Sequence, residues 1–188
     1  MKNREIILAS NSPRRKELME DIGIDFRIHS EQCDEIVDHN ISKEEAIEQI
    51  AYAKAMAVYK KFPKSIVIGA DTMVCYDGRM LGKPRDYEDA FQMLSMLSGE
   101  IHEVITGVAI LCEGKELLFH EKTYVQFYDL NDEIIRWYLS TEEAFDKAGA
   151  YGIQGKGKLL VDEIRGDYYN VMGFPIARVY RELKNLQN

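Results

Sequence analysis

Hydroxyl and basic side chains follow the first apolar run of the chain. Ile6–Ala9 is a short continuous apolar stretch, which predicts a buried strand. Ser10 comes next, Pro13 suits the first position of a helix, and Arg14 and Arg15 fall in the first turn of that helix. Helix N-termini and guanidinium groups both bind phosphate oxygens. The segment therefore indicates a polyphosphate site, and the alternative is an exposed basic turn.

A lysine and an aspartate farther along the chain are candidates for charge chemistry. Lys54 lies four residues after Ile50 and three before Ala57, so helical spacing places it at the edge of an apolar stripe. Asp71 follows the apolar run Ser65–Ala70, and ligands of α/β proteins collect beyond the carboxyl ends of strands. Asp71 is therefore a candidate metal ligand or general base. The alternatives are a lysine that extends to solvent and a turn aspartate.

Three loops add basic residues or glycines. Lys83 lies on a rigid loop just before a predicted helix, where a solvated charge is the alternative interpretation. Asp146–Gly157 holds four glycines in its last nine positions, which permits close approach of the backbone to a ligand. Gly166–Pro175 is a second glycine-bounded loop before a helix. The glycine spacing matches neither the dinucleotide-binding nor the Walker-type pattern, which argues against both classes of nucleotide site.

The elements that must position these residues alternate between strand and helix patterns. Capping residues predict helices that begin after Ser12, Ser42, Asp86 and Asn131, and a last helix that starts at Pro175. The predicted strands are Ile6–Ala9, Phe26–Ile28, Ser65–Ala70, Met73–Tyr76, Arg79–Leu81, Ile101–Cys112, Glu116–Tyr128 and Leu159–Ile164. Interleaved helices with hairpins among them predict an α/β protein with a mixed sheet.

Charge and composition limit the partners. The chain of 188 residues has 24 Lys and Arg against 32 Asp and Glu, a formal net charge of −8. A protein that coats a nucleic acid polymer needs a basic face, so this balance argues against that class, whereas a small anion needs only a local basic cluster. The first apolar run is too short for a signal peptide. We expect a cytoplasmic protein that binds neither nucleic acid polymers nor membranes.

Taken together and in chain order, these segments resemble the Maf-like nucleoside triphosphate pyrophosphatases. The matching blocks are Leu8–Arg15, Gly69–Thr72, Gly82–Arg85, His102–Val108, Asp146–Gly155 and Asn170–Pro175. The resemblance implies a single domain over residues 1–188, with a mixed twisted sheet flanked by helices as in inosine-triphosphatase-like proteins, and two lobes that share this sheet around a deep cleft. It also implies hydrolysis of a nucleoside triphosphate to the monophosphate and pyrophosphate, with Mg²⁺ or Mn²⁺ as the divalent cation. Because members of the family are often homodimers, the resemblance further implies a possible homodimer.

The resemblance assigns roles to the candidate residues. Asp71 would accept the proton of the attacking water and would bind the metal together with Glu35. The register of this second acid stays open, because Asp34 and Glu31 are close neighbours. The triphosphate would be bound by Ser10 and by the cations Arg14, Arg15, Lys54 and Lys83.

The segment Asp146–Gly155 resembles the branch of the family that acts on dTTP and UTP. Arg14, Thr72 and Gln154 would then set the base preference, with non-standard pyrimidine triphosphates as further substrates. Gln154 fits this role chemically, because an amide offers a donor and an acceptor to the O–N–O edge of a pyrimidine. Two alternatives stay open: the branch that acts on 7-methyl-GTP, and a non-catalytic, nucleotide-sensing regulator of septum formation.

Overall fold

Strands and helices alternate along the chain in the computed structural model, which describes residues 4–33 and 41–187. The strands are β1 (Ile6–Leu8), β2 (Arg27–Ile28), β3 (Ile66–Tyr76), β4 (Arg79–Leu81), β5 (Ile101–Cys112), β6 (Lys115–Phe127) and β7 (Val161–Arg165). The helices are α1 (Pro13–Asp21), α2 (Lys43–Tyr59), α3 (Tyr87–Leu97), α4 (Asp132–Leu139), α5 (Tyr168–Val171) and α6 (Ile176–Gln187), and short 3₁₀ turns lie at Ala148–Ala150 and Gly157–Leu159.

Within the described residues, one sheet of seven strands has the order β2-β1-β3-β5-β6-β7, with β4 paired to β3. Strand β1 runs parallel to both β2 and β3. Strand β4 is antiparallel to β3, and β7 is antiparallel to β6. Parallel and antiparallel pairs thus coexist in one sheet flanked by helices, which confirms the predicted α/β class. None of the helices in the described ranges has the length and apolar composition needed to cross a membrane.

Local sequence signals predicted the boundaries of several helices and strands correctly. Pro13 is the first residue of α1, although the Ser12 side chain at the N-cap position makes no capping hydrogen bond. Ser42 and Glu45 form the predicted capping box of α2, in which the Ser42 Oγ accepts from the Glu45 N–H at 3.2 Å. In the hairpin between β3 and β4, Asp77 and Gly78 have φ values of 47° and 72°. Two successive positive φ values are what a type I′ turn requires.

The prediction that Asp71 ends a strand is wrong. The two runs Ser65–Ala70 and Met73–Tyr76 are parts of one strand, β3, and Asp71 lies within it. Residues 71 and 72 interrupt the buried pattern of this strand without breaking its backbone ladder. A strand tolerates a carboxylate whose side chain is paired, and Asp71 is paired with Lys54.

Two smaller differences arise near the C-terminus. The strand predicted for Leu159–Ile164 begins at Val161 instead, because the backbone of Gly157–Leu159 closes a 3₁₀ turn. The glycine-bounded loop Gly166–Pro175 contains a one-turn helix, α5, whose first turn is capped by the side chain of Asp167.

The chain divides into two compact units, and each has its own core. The first unit comprises Met1–Asp71, Thr106–Glu121 and Gly173–Asn188, and the second comprises Thr72–Ile105 and Lys122–Met172. Apolar residues of α2 and of the strands fill the first core: Ile7, Ala9, Ala51, Ala55, Val58, Val67, Ala109 and Leu111. The core of the second unit includes Leu94, Leu97, Phe127, Tyr138 and Leu160. The predicted arrangement of two lobes around a deep cleft stays a prediction.

In the first unit, small residues let α2 approach the sheet closely. A Cβ atom at Gly69 would collide with the backbone carbonyl of Ala51 and would lie 2.7 Å from the backbone nitrogen of Ala55. Gly69 and Asp71 point to the same face of β3, because side chains alternate along a strand. The close contact at Gly69 therefore brings α2, which carries Lys54, next to Asp71.

Substitution of Gly69 by alanine should destabilise the protein. The Cβ atom meets backbone atoms of α2, which cannot rotate away, and overpacking of this kind costs about 1–3 kcal/mol. We expect the urea midpoint to fall without a change in the m-value. Gly82→Ala is the matched control, since a Cβ at Gly82 meets nothing within 4 Å. Equal midpoints for the two variants would contradict the tight packing of α2.

Candidate functional site

Arg15 is a buried cation at the start of α1. Its Nε donates to the carbonyl oxygen of Gly173 at 2.8 Å, and its Nη1 donates to the Ser10 Oγ at 3.1 Å. Burial lowers the pKa of Arg15, the neighbouring charge of Asp71 opposes this effect, and Arg14 adds to it. Even so, a guanidinium stays protonated in proteins. Arg15 thus contacts one further candidate residue, Ser10, and lies within electrostatic reach of two others, Asp71 and Arg14.

Lys54 and Asp71 form an ion pair in the first unit. The Lys54 Nζ donates to the Asp71 Oδ1 at 2.6 Å, and only 20% of the lysine side chain and 25% of the aspartate side chain are exposed. The helical spacing that placed Lys54 near the apolar stripe of α2 thus brings its ammonium to β3. The structure joins two candidate residues that are 17 positions apart in the sequence.

A pocket of about 590 Å³ opens beside this cluster. Its lining residues are Ala9, Ser10, Asn11, Arg15, Ser30, Glu31, Gln32, Cys33 and Lys54, all within the first unit. The pocket is lined mainly by polar side chains and by two cations. Such a lining suits a charged phosphate ligand better than an apolar one.

One of the acids considered as the second metal ligand lines this pocket. The Glu31 Oε1 accepts a hydrogen bond from the Lys61 Nζ at 2.8 Å and lies 2.6 Å from the His29 Nε2. The hydrogen bond from Lys61, with a second from His29, lowers the pKa of Glu31, so the carboxylate is ionised at neutral pH. Asp34 and Glu35 lie outside the described residues.

The residues present fit a divalent cation that binds with its substrate. In the described part of the chain, no group of three or more His, Cys, Asp or Glu side chains is arranged to hold a metal. Mg²⁺ in phosphate-transfer sites uses one or two carboxylates and takes its other ligands from phosphate oxygens and water. Asp71, which accepts a hydrogen bond from the pocket-lining Lys54, provides one such carboxylate and would be a donor to the metal.

The other predicted residues belong to the second unit. Thr72 is half-buried in β3, Lys83 is exposed on the loop after β4, and Gln154 is half-buried in the glycine-rich segment. The Gly149 N–H donates to the Gly82 carbonyl at 3.0 Å, which ties the Lys83 loop to that segment. Gln154 lines a pocket of about 430 Å³ with Ile153, Gly155, Lys158, Val161, Ile164 and Tyr168.

His102 and Tyr151 form a buried pair in the second unit, and Tyr151 lies three positions before Gln154. The His102 Nε2 is 2.7 Å from the Tyr151 hydroxyl, and His102 and Tyr151 are 2% and 5% exposed. Burial lowers the pKa of His102 to about 4, partly opposed by the backbone of Glu100. Burial also raises the pKa of Tyr151. Both side chains are therefore neutral at physiological pH, and the tyrosine hydroxyl can donate to the Nε2 of His102.

The lowered pKa of His102 predicts an acid-sensitive fold. Between pH 6.5 and about 4, the unfolded chain binds a proton that folded His102 excludes, so the free energy of unfolding falls as the pH is lowered. This pKa shift corresponds to about 3 kcal/mol of the free energy of unfolding, and most of that contribution is lost as the pH approaches 4. His102→Gln cannot titrate and should show a flatter dependence. Urea unfolding of both proteins at pH 7, 6, 5 and 4.5 measures the difference, and parallel curves would contradict it.

Several partners of these residues were missed by the sequence prediction. The carbonyl of Gly173 binds a guanidinium that is 158 positions away, and the contacts of Glu31 with His29 and Lys61 fix the orientation of a pocket-lining acid. The glycine-bounded segment before α6 was the only sequence signal that pointed to Gly173. No motif indicated Lys61.

Known proteins resemble this chain over almost its whole length. The family model described as "Maf-like protein" matches residues 5–186. A dTTP/UTP pyrophosphatase of Geobacillus sp. (strain WCH70) is 51% identical over 183 residues, which cover 97% of this chain and 98% of that relative. A dTTP/UTP pyrophosphatase of Bacillus cytotoxicus is 48% identical over 185 residues, 98% of this chain and 97% of that relative.

Among solved structures, the Staphylococcus aureus Ham1 protein is similar over 67% of this chain and 73% of that chain. The sequence identity is 18% and the TM-score is 0.47, a likeness too slight to bear on function.

Proposed function

This chain belongs to the Maf-like protein family, and we therefore propose that it is a nucleoside triphosphate pyrophosphatase that hydrolyses dTTP and UTP to the monophosphate and pyrophosphate. The observation that carries this proposal is the cluster of the first unit, where Arg15 and Lys54 line a polar pocket beside Asp71. A triphosphate has about four negative charges at neutral pH, and its hydrolysis needs fixed cations near the departing pyrophosphate.

The phosphate groups are bound by the cations of this cluster. Arg15 is held in place by Gly173 and Ser10, so its guanidinium is pre-oriented before substrate arrives. Lys54 supplies a second positive charge, and Arg14 a third on the same helix turn. Lys83, exposed in the second unit, is proposed as a further cation for the triphosphate. Each of these charges would stabilise negative charge as it develops on the leaving group.

Asp71 is the proposed proton acceptor for the attacking water. A general base must lie close to the water that attacks the phosphate, and Asp71 accepts a hydrogen bond from Lys54, one of the proposed phosphate-binding cations. Asp71, with Glu35 as the proposed second acid, would also hold Mg²⁺ or Mn²⁺. When bound, the cation neutralises charge on the phosphate oxygens. The substrate phosphate would compete with Asp71 for the Lys54 ammonium, which frees the carboxylate to accept a proton.

The base preference is assigned to Gln154, with Arg14 and Thr72. The Gln154 amide lines a pocket of about 430 Å³ and offers both a donor and an acceptor to a pyrimidine edge. A wrong base leaves these polar groups unpaired, which is a strong source of discrimination. Non-standard pyrimidine triphosphates that keep the O–N–O edge would also be substrates.

A panel of triphosphates with Mg²⁺ tests the proposed function. We expect kcat/KM for pyrophosphate release to be highest for dTTP and UTP. Equal or greater activity on 7-methyl-GTP would assign the chain to the other branch of the family. Binding of dTTP without metal-dependent hydrolysis would favour a nucleotide-sensing regulator instead. The homodimer that the family resemblance implies and the cytoplasmic location expected from the short first apolar run are also proposals, and sedimentation equilibrium tests the first of them.

A further inference from the structure

The segment that carries Gln154 is fixed by contacts on both sides of that residue. Before it, the Gly152 N–H donates to the hydroxyl of the fully buried Tyr138 at 3.2 Å. After it, the Lys156 N–H donates to the Glu143 Oε2 at 2.9 Å. Gly155 has a φ of +60°, and a Cβ at this position would press against the Glu143 carboxylate. The backbone on either side of Gln154 is therefore tied to α4 and to the turn that follows it.

A further anchor of this segment is the side chain of Tyr151. Its ring packs edge-to-face against His102 and Phe127, with centroid distances of 5.3 Å and 4.6 Å, and the His102 and Phe127 rings are 4.9 Å apart. The Tyr151 hydroxyl lies 2.7 Å from the His102 Nε2. Two neighbouring rings and one hydrogen bond thus hold Tyr151, which lies three positions before Gln154.

The polar part of this anchor is not needed to fill the core. Phenylalanine in place of Tyr151 would bury the same ring, and replacing both members of a buried polar pair by apolar groups is often neutral for stability. The Tyr151–His102 hydrogen bond restricts the orientation of the Tyr151 side chain more narrowly than ring packing alone does. The reason is that a hydrogen bond weakens steeply as its angle departs from linear. Neither residue belongs to the phosphate cluster of the first unit.

We propose that Tyr151 and His102 are positioning residues for base recognition: their hydrogen bond sets the segment Gly152–Gln154 so that the Gln154 amide meets the pyrimidine edge. This inference rests on the proposed function. The pair acts on the discrimination among bases through Gln154, and it leaves the phosphate chemistry at Asp71 unchanged.

The test compares kcat/KM for dTTP with kcat/KM for dCTP, a pyrimidine whose edge has a different donor–acceptor pattern. Tyr151→Phe removes only the hydroxyl, and we expect the dTTP/dCTP ratio to fall about tenfold, the factor that one hydrogen bond typically contributes. The loss should appear as a higher KM for dTTP with kcat within about twofold of the wild type. Tyr124→Phe is the control, because Tyr124 is an exposed tyrosine of β6 in the same unit. Its ratio should equal that of the wild type.

A double-mutant cycle separates positioning from a merely structural role. In a Gln154→Ala background, the additional Tyr151→Phe change should alter the ratio less than twofold, because the group it positions is gone. His102→Leu should reproduce the effect of Tyr151→Phe, whereas His102→Gln, whose amide can still accept the hydroxyl, should restore most of the ratio.

Three outcomes would overturn the inference. An unchanged ratio in Tyr151→Phe, even with a lower thermal midpoint, would show a structural role alone. An equal effect of Tyr151→Phe with and without Gln154 would show that it does not act through that residue. Wild-type turnover without any preference for dTTP over dCTP would overturn the proposed base recognition and this inference with it, whereas the first two outcomes leave the proposed function standing.

Discussion

Asp71→Asn is expected to lower kcat for dTTP about 10³-fold while its KM changes only a few-fold. General base catalysis typically contributes 10²–10⁴-fold, and asparagine keeps the shape of the side chain but cannot accept the proton of water. The amide can still contact the Lys54 ammonium through its oxygen, so the packing of α2 on β3 is retained. Steady-state kinetics with a pyrophosphate assay measure both constants.

The matched control for this variant is Asp77→Asn. Asp77 lies in the β3–β4 hairpin turn with a φ of 47°, a conformation that asparagine also tolerates. It makes the same chemical change six residues along the chain, at a residue of the second unit. Full activity in Asp71→Asn, or an equal loss in both variants, would remove Asp71 from its proposed role.

Arg15→Lys is expected to lower kcat/KM about 10²-fold and to reduce the free energy of unfolding by about 1–3 kcal/mol. A lysine keeps the charge but lacks the rigid fork that reaches the Gly173 carbonyl and the Ser10 hydroxyl at the same time. The buried Gly173 carbonyl would then lose the hydrogen bond from the Arg15 Nε. Kinetics and urea unfolding of the same preparation measure the two losses.

Lys16→Ala is the control for Arg15→Lys. Lys16 is the next residue of α1, it is exposed, and it pairs with Glu20 at 3.5 Å on the helix surface. Surface pairs of this kind contribute about 0–1 kcal/mol, so both activity and stability should stay close to those of the wild type. Wild-type kinetics in Arg15→Lys would contradict the proposal that its guanidinium binds phosphate.

Short-range patterns in the sequence predicted the elements that depend on neighbouring residues. The capping box at Ser42, the capping Asp86 and the hairpin turn at Asp77 are each determined within four residues, and all three occur in the structure. The prediction failed at Asp71, because the strand continues through a position that looks like a turn. The Asp71 carboxylate is stabilised there by Lys54 of α2, and no local sequence pattern indicates this contact.

The long-range contacts of the candidate site needed the fold. Arg15 and Gly173 are 158 positions apart, and His102 and Tyr151 are 49 positions apart. Local sequence marked Arg15 and Asp71 as candidates, because guanidinium groups at a helix N-terminus bind phosphate and ligands collect beyond the ends of strands. It gave no reason to connect a histidine in β5 with the glycine-rich segment. The net charge of −8 also gave no indication of a local basic site. The fold nevertheless brings Arg15 and Lys54 to the lining of one pocket.

The products of dTTP hydrolysis test the central claim most directly. Wild-type protein with Mg²⁺ should convert dTTP into equal amounts of dTMP and pyrophosphate, as resolved by ion-exchange chromatography. Chelation with EDTA should stop the reaction, and added Mg²⁺ should restore it. Formation of dTDP and inorganic phosphate, or the absence of any turnover, would contradict the assignment of this chain as a pyrophosphatase.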